Sequence, residues 1–225
     1  MRRAPLIRAA GGLLAAILAV GASSESTGAE RYEADLASSR VTVEGTSTLH
    51  DWHVGGQHVG GYVVVQEHEL ASLWRDSGSS LHELAPTVQV EIPVTSLMSG
   101  KRGMDEKMRE ALKADMHPVI IYRLESAKVT ARQTAQAEDV GGSLTIETKG
   151  ILTVAGIERK VDMPMHVRWL SNHRLEVRGE TTLRMTEFGI EPPKAMLGTV
   201  RTGDTVHVYW TWVLAPSPIA HRDER

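Results

Sequence analysis

The densest run of side chains that could do chemistry is His50-Asp51-Trp52-His53, with His58 and His68 close behind. Imidazoles and a carboxylate at this density are the donor set of a zinc or other transition-metal site. On an extended strand, however, His50 and His53 point to opposite faces, so joint coordination needs a turn. In such a turn the same residues have a simpler use: His50 and Asp51 bond the backbone while Trp52 packs. That reading is preferred, and no metal is assigned. Covalent catalysis has less support still. The chain has no cysteine, and it carries no G-x-S-x-G, P-loop or H-E-x-x-H pattern. Glu187, beside the sole phenylalanine Phe188, is the best-placed lone acid, but one carboxylate without a differently tuned partner is not an acid–base pair. It reads as a solvated loop residue. Lys101, Arg102 and Lys107 could meet a ligand head group; a solvated charged surface is the preferred reading. No catalytic residue and no cofactor are assigned.

The elements that would position these residues are mostly strands. Val41 and Val43 alternate with Thr42 and Glu44, and Val88, Val90 and Ile92 with Gln89 and Glu91. Val161, Met163, Met165, Val167 and Trp169 share one parity, as do Leu175, Val177, Thr181 and Leu183 with Gly179 between them. Val206, Val208, Trp210, Trp212 and Leu214 close the series, which places His207, Tyr209 and Thr211 on the outer face. Period-two alternation means one apolar and one wet face, the mark of antiparallel sheets. Tyr62–Val65, Val119–Leu124 and Leu144–Val154 add strands, with glycines at 60–61, 141–142, 150, 156 and 203 as punctuation. About eight strands in succession suggest a closed barrel or a sandwich. Between them, Met104, Met108, Ala111 and Leu112 fall at helical spacing. Acids open that segment and His117-Pro118 ends it. The segment from Leu183 to Val208 reads as a strand, a Phe188-Gly189 end, a Pro192-Pro193 break, a second turn at Thr202-Gly203-Asp204 and a returning strand. Residues 66–84 read as a long loop; its Leu70, Leu73 and Trp74 could touch a membrane surface or cover a barrel edge, and covering is preferred.

The N-terminus reads as a secretory signal. Arg2, Arg3 and Arg8 precede the apolar run Ala9–Val20, and small residues offer cleavage after 22 or 29. The expected organisation is therefore signal and leader over 1–29, one domain over 30–214, and a fraying tail over 215–225. The full chain carries a formal charge of -3, and losing residues 1–22 removes three arginines and no acid, for a mature charge of about -6. This balance argues against nucleic acid as a partner and against an electrostatic grip on anionic lipid heads. An exported chain without cysteine must rely on its core alone, and with 41% hydrophobic but only 4% aromatic residues that core is aliphatic and methionine-rich.

Several ordered motifs resemble one family. Tyr32-x-x-Asp35 with Ser39-Arg40-Val41, and Gly45-Thr46-Ser47-Thr48-Leu49-His50-Asp51-Trp52, resemble the opening strands of YceI-like proteins. Val94-Thr95-Ser96-Leu97, Ser99-Gly100-Lys101, Met104 to Met108 and Ala111 to Pro118 resemble the loop and helix that follow. Gly142–Ile146, Gly150–Gly156 and Leu183–Val208 resemble the later strands, so that the likeness spans about residues 31–214. Met116 and Tyr122 stand where relatives often have phenylalanine, and residues 66–84 are individual to this chain. The resemblance implies a mainly β, antiparallel, lipocalin-like barrel of about eight strands with one principal helix. It also implies an elongated apolar cavity, exported to the periplasm, that holds a polyisoprenoid or similar amphiphilic lipid without catalysis; some members bind isoprenoid quinones. The expected lining includes Val43, Met163, Met165, Val177, Trp210 and Trp212, with methionines adapting to a kinked chain. Two other readings stay open: a structural or interaction protein whose core is filled, and a metal protein or enzyme centred on His50, Asp51 and His53.

Overall fold

A computed structural model describes residues 28–75, 83–133, 142–195 and 199–217. Nearly all of the expected signal and leader, and the end of the expected tail, lie outside these residues. Among the described residues thirteen strands form one sheet; β1 (Ala29–Ala34), β4 (Gly60–Gln66), β6 (Thr87–Pro93), β8 (Val119–Gln133), β9 (Ser143–Val154), β10 (Ile157–Trp169), β11 (Leu175–Arg184) and β13 (Val200–Ser217) follow one another and return to β1, which closes an eight-stranded antiparallel barrel. The closing strand β13, Val200–Ser217, is the longest. Closure gives every strand of this circuit a partner on both sides over part of its length, while residues 157–164 of β10 pair only with β9 and residues 180–184 of β11 only with β13.

Three of the eight wall positions are strands broken in the middle. β1 (Ala29–Ala34) pairs with the C-terminal end of β13, and β2 (Arg40–Ser47) takes over alongside its N-terminal part. The next position is likewise shared by β3 (Trp52–Gly56) and β4 (Gly60–Gln66), and the one after by β6 (Thr87–Pro93) and β7 (Leu97–Met98). The break at 35–39 is fixed by polar contacts. Asp35 accepts from the Ala37 amide and the Ser38 hydroxyl and pairs with Arg174, and Ser39 Oγ accepts from Val213 N at 3.0 Å. Thr211 and Val213 are buried although they belong to the outward parity of β13.

Below the break, β7 pairs only with β3, so the wall opens before β8 (Val119–Gln133). The chain fills that gap with the helix anticipated from Met104, Met108, Ala111 and Leu112: α2, Arg102–Ala111. At the other end, α1, Glu67–Arg75, replaces the expected loop. Leu70 and Leu73 are three residues apart on one helical face and both are buried in the main core. They therefore stop the interior of the barrel instead of covering an edge, and the side chain of Trp74 lies outside the described part. Nine residues with two acids in the first turn make a short helix, and period-two reading does not detect so brief a stripe.

Three further expectations are corrected. Thr202-Gly203-Asp204 is no chain reversal: it lies inside β13, where the register against β2 shifts between Thr202 and Val206. The reversal comes earlier, between β12 (Lys194–Ala195) and β13. Gly150 does not punctuate either; it lies inside β9 (Ser143–Val154). The last strand also runs past the expected tail boundary, with Ala215, Pro216 and Ser217 paired to Glu33, Tyr32 and Arg31.

Candidate binding cavity

The inward parity of the strands surrounds a cavity of about 710 Å³, within the size range of small-molecule sites. Val43, Met163, Met165, Val177, Trp210 and Trp212 all stand on its wall. Val206, Val208, Trp210, Trp212 and Leu214 line it together, as the alternation of the last strand requires. On β13 the lining from Val206 to Leu214 alone extends roughly 27 Å along the strand at about 3.4 Å per residue. Leu70 and Leu73 of α1 close one end; Met104 and Met108 of α2 cover the flank near the other.

Three inward glycines explain why the interior is open although it holds bulky rings. Gly179 on β11 (Leu175–Arg184) pairs with Trp210, and Gly45 on β2 pairs with Trp52. A Cβ at either position would come within 2.2 Å of its partner's indole ring, and a Cβ at Gly150 within 2.5 Å of the Tyr122 ring. Each ring therefore lies flat over a strand that has no side chain there. It covers the wall instead of standing into the lumen.

Deep in the cavity polar groups are few and turned to the wall. The Thr148 hydroxyl donates to Met163 O at 2.7 Å, so the Tyr122 hydroxyl, 3.1 Å away, must donate to Thr148. Burial raises the Tyr122 pKa above the ordinary phenol value, which keeps this chain of bonds neutral. The buried Trp212 Nε1 meets no acceptor among the described residues. Nothing here is arranged as a nucleophile with a base.

Polar and charged groups gather instead at the Val200 end of β13. Ser47, His50, Lys107, Arg184, Lys194 and Thr202 line the cavity there. The turn Ser47–Trp52 is held by Ser47, whose Oγ accepts from the Leu49 and His50 amides at 3.2 Å and donates to His50 O at 2.7 Å. Asp51 does not have that role. Trp52 packs on Gly45 and donates from Nε1 to Thr46 O at 3.1 Å. His50 touches the cavity and His53 does not, and no group of three or more metal-ligating side chains occurs among the described residues. Glu187 is exposed and away from the lining, with Phe188 buried beside it. Of the basic trio near α2, Lys107 reaches the cavity; Lys101 and Arg102 do not. Sequence spacing gave no sign that Arg184 and Lys194 would join Lys107, because barrel closure brings them together.

A closed antiparallel barrel around an apolar cavity defines the class of small β-barrels that can enclose a ligand. Within that class, residues 32–213 match the YceI-like domain, and the chain belongs to that family. Among solved structures, Burkholderia cenocepacia BcnA superposes with a TM-score of 0.58 at 15% identity, over 80% of this chain and 98% of that one. A polyisoprenoid binding domain from Saccharophagus degradans, implicated in plant cell wall breakdown, gives 0.57 at 15% identity, over 83% and 98%. At such identities the likeness is one of fold. No curated protein matches the chain.

Proposed function

We propose that the protein is an exported, non-catalytic carrier that holds a polyisoprenoid or similar amphiphilic lipid in its barrel. The observation that carries this reading is the cavity itself: about 710 Å³ lined by aliphatic, methionine and indole side chains. A solid core, which the structural alternative requires, leaves no such space. Each methylene sheltered there contributes roughly 0.8 kcal/mol, so a branched hydrocarbon chain needs few polar contacts. Family membership supports the same reading, as does a structural neighbour described as polyisoprenoid-binding. The basic, apolar and small-residue sequence of residues 1–29 supports export to the periplasm. The test is native mass spectrometry with lipid extraction on protein recovered from the periplasm of its producing cell. Bound prenyl lipid and an intact mass lacking residues 1–22 or 1–29 are expected. An empty barrel that also takes up no prenyl lipid in titration would refute the carrier reading, and a mass retaining Met1 would refute export.

A further inference from the structure

The barrel wall is split between β10 and β11, and one residue accounts for where the split begins. The two strands are paired from Trp169–Leu175 down to Met165–Gly179. One step lower the same register would set Pro164 against Glu180, and there the ladder ends. Met163 O is taken by the Thr148 hydroxyl of β9, and successive residues of a strand bond to opposite neighbours. The backbone of Pro164 therefore faces β11, where it has no N–H to give. Below it, residues 157–164 and 180–184 are unpaired toward each other. The chain leaving β11 folds back into this split as the 3-10 turn Met185–Phe188, ended by Gly189 in the left-handed region at φ 64°. Phe188 and Ile190, 3% and 6% exposed, pack there with Leu152, Val154 and Met163, and both line the cavity.

This plug is bonded mainly to itself. Gly189 N donates to Thr186 O and Ile190 N to Met185 O, each at 3.1 Å. Among the described residues no hydrogen bond joins residues 185–190 to β10. What ties the turn to the barrel is the carboxylate of Asp204, which accepts from the Thr186 amide at 2.9 Å and hydroxyl at 2.8 Å, beside Arg184 at 3.0 Å. We propose that residues 185–190 are a gate latched by Asp204, and that a lipid chain enters and leaves sideways between β10 and β11 when Phe188 and Ile190 swing out. This rests on the carrier reading and concerns how the cavity fills. Opening breaks no strand pairing, because both edges of the split are already unpaired. Its cost is confined to the Asp204 bonds and two apolar side chains, the mark of a segment that opens locally. Leu70 and Leu73 stop the far end of the lumen, so a long chain admitted at an end must thread its whole length, whereas a side opening takes it in at the middle.

The absence of cysteine allows a direct test with a disulfide. A Cβ at Gly189 would lie 3.7 Å from Ile157 Cγ1, within reach of a disulfide after small adjustments. Oxidised Ile157→Cys/Gly189→Cys thus ties the plug to β10, and Asp204→Ala unlatches it; none of the three positions lines the cavity. Uptake of polyprenol from neutral phosphatidylcholine vesicles, and its release to excess vesicles, are followed by the fluorescence of the cavity tryptophans. Affinity and thermal unfolding are measured in parallel. The oxidised pair should exchange lipid about tenfold or more slower than the parent, and Asp204→Ala about tenfold faster, the equivalent of one charge-assisted hydrogen bond. Reduction of the disulfide should restore the parent's rate, and the affinities should stay close to the parent's, since a gate sets rates and not end states. Parental rates in the oxidised pair or in Asp204→Ala overturn the gate and leave the carrier reading intact, with the lipid entering through an end. A parent that takes up no polyprenol overturns both. If the cysteine pair does not fold or oxidise, or if reduction does not restore its rate, Asp204→Ala decides by the same criterion.

Discussion

At the residue scale, the group that does most to place the site is one that touches no ligand. Asp105, buried in the first turn of α2, accepts from the Ser99 amide at 2.7 Å and the Ser99 hydroxyl at 2.6 Å. It ties the turn after β7 to the helix and so fixes where Met104, Lys107 and Met108 lie over the cavity. The Ser99 hydroxyl first, and then its amide, hold the Asp105 carboxyl below the ordinary carboxylate range. Because the folded value is the lower one, the stabilisation is complete above the unfolded value of about 4. It is lost as pH falls through the folded value. Asp105→Ala leaves the Ser99 amide without its acceptor and should cost about 1–3 kcal/mol at neutral pH. Asp105→Asn keeps an acceptor, should cost less, and should flatten part of the stability loss below pH 4. Asp35, Asp204 and Glu191, also lowered, contribute to the same slope. Chemical denaturation from pH 3 to 7 on the three proteins checks this; an unchanged acid slope in Asp105→Asn would remove Asp105 from the account.

At the element scale, the cross-strand pairing of glycine with an aromatic ring decides how much lumen the strands leave. At Gly179 the Cβ position falls 2.2 Å from Trp210 Cζ2. A valine there must push the indole off the wall, toward the open cavity, and also shift the Pro164 carbonyl oxygen, 2.8 Å from the same position. Gly179→Val should therefore keep the barrel, lose about 1–3 kcal/mol to overpacking, and take up less lipid. Gly55→Ala, where nothing lies within 4 Å, is the matched control and should change neither. Thermal unfolding and bound lipid per protein are the readouts; full uptake by Gly179→Val would show that the ring finds room elsewhere. The strands themselves were legible in the sequence, because alternation marks which face each residue takes and Val206 to Leu214 kept their parity. The helix α2 was legible from four spaced apolar residues. What escaped was set by tertiary contact. The stripe of α1 rests on Leu70 and Leu73 alone, the bulge at Thr202–Val206 looks like a turn when its partner strand is unknown, and the cationic end exists only once β11, β12 and α2 converge. Gly179 was visible as a gap in an apolar series, but that the gap seats Trp210 follows from register.

At the scale of the whole molecule, the wall can be read along one row of paired residues, whose stretch at Met165 is called the waist below. Val129, Ile146, Met165, Gly179, Trp210, Val41, Gly56 and Leu97 follow one another from strand to strand. Met165 lies next to Gly179 in this row, where the Trp210 ring is already flat against the wall, so it is the side chain best placed to narrow the lumen. It is only half-buried, which means that it has room on the cavity side. If the barrel is a carrier, occupancy must couple to global stability. Ligand at a hundredfold its Kd raises the unfolding free energy by about 2.7 kcal/mol, which for a chain of this size moves Tm by roughly 5–10 °C. Met165→Trp adds an apolar ring at the waist, fills space that is empty in the parent, and should leave the lipid-free Tm within a few degrees of the parent's, at most a few kcal/mol of overpacking away. The same ring should block passage of a long chain. The measurement is thermal unfolding of delipidated parent and variant, each with and without added polyprenyl lipid. The parent should show the upward shift and the variant should lose most of it. A variant that folds and shifts as far as the parent would show that the chain does not pass the waist, and would confine any ligand to one half of the cavity.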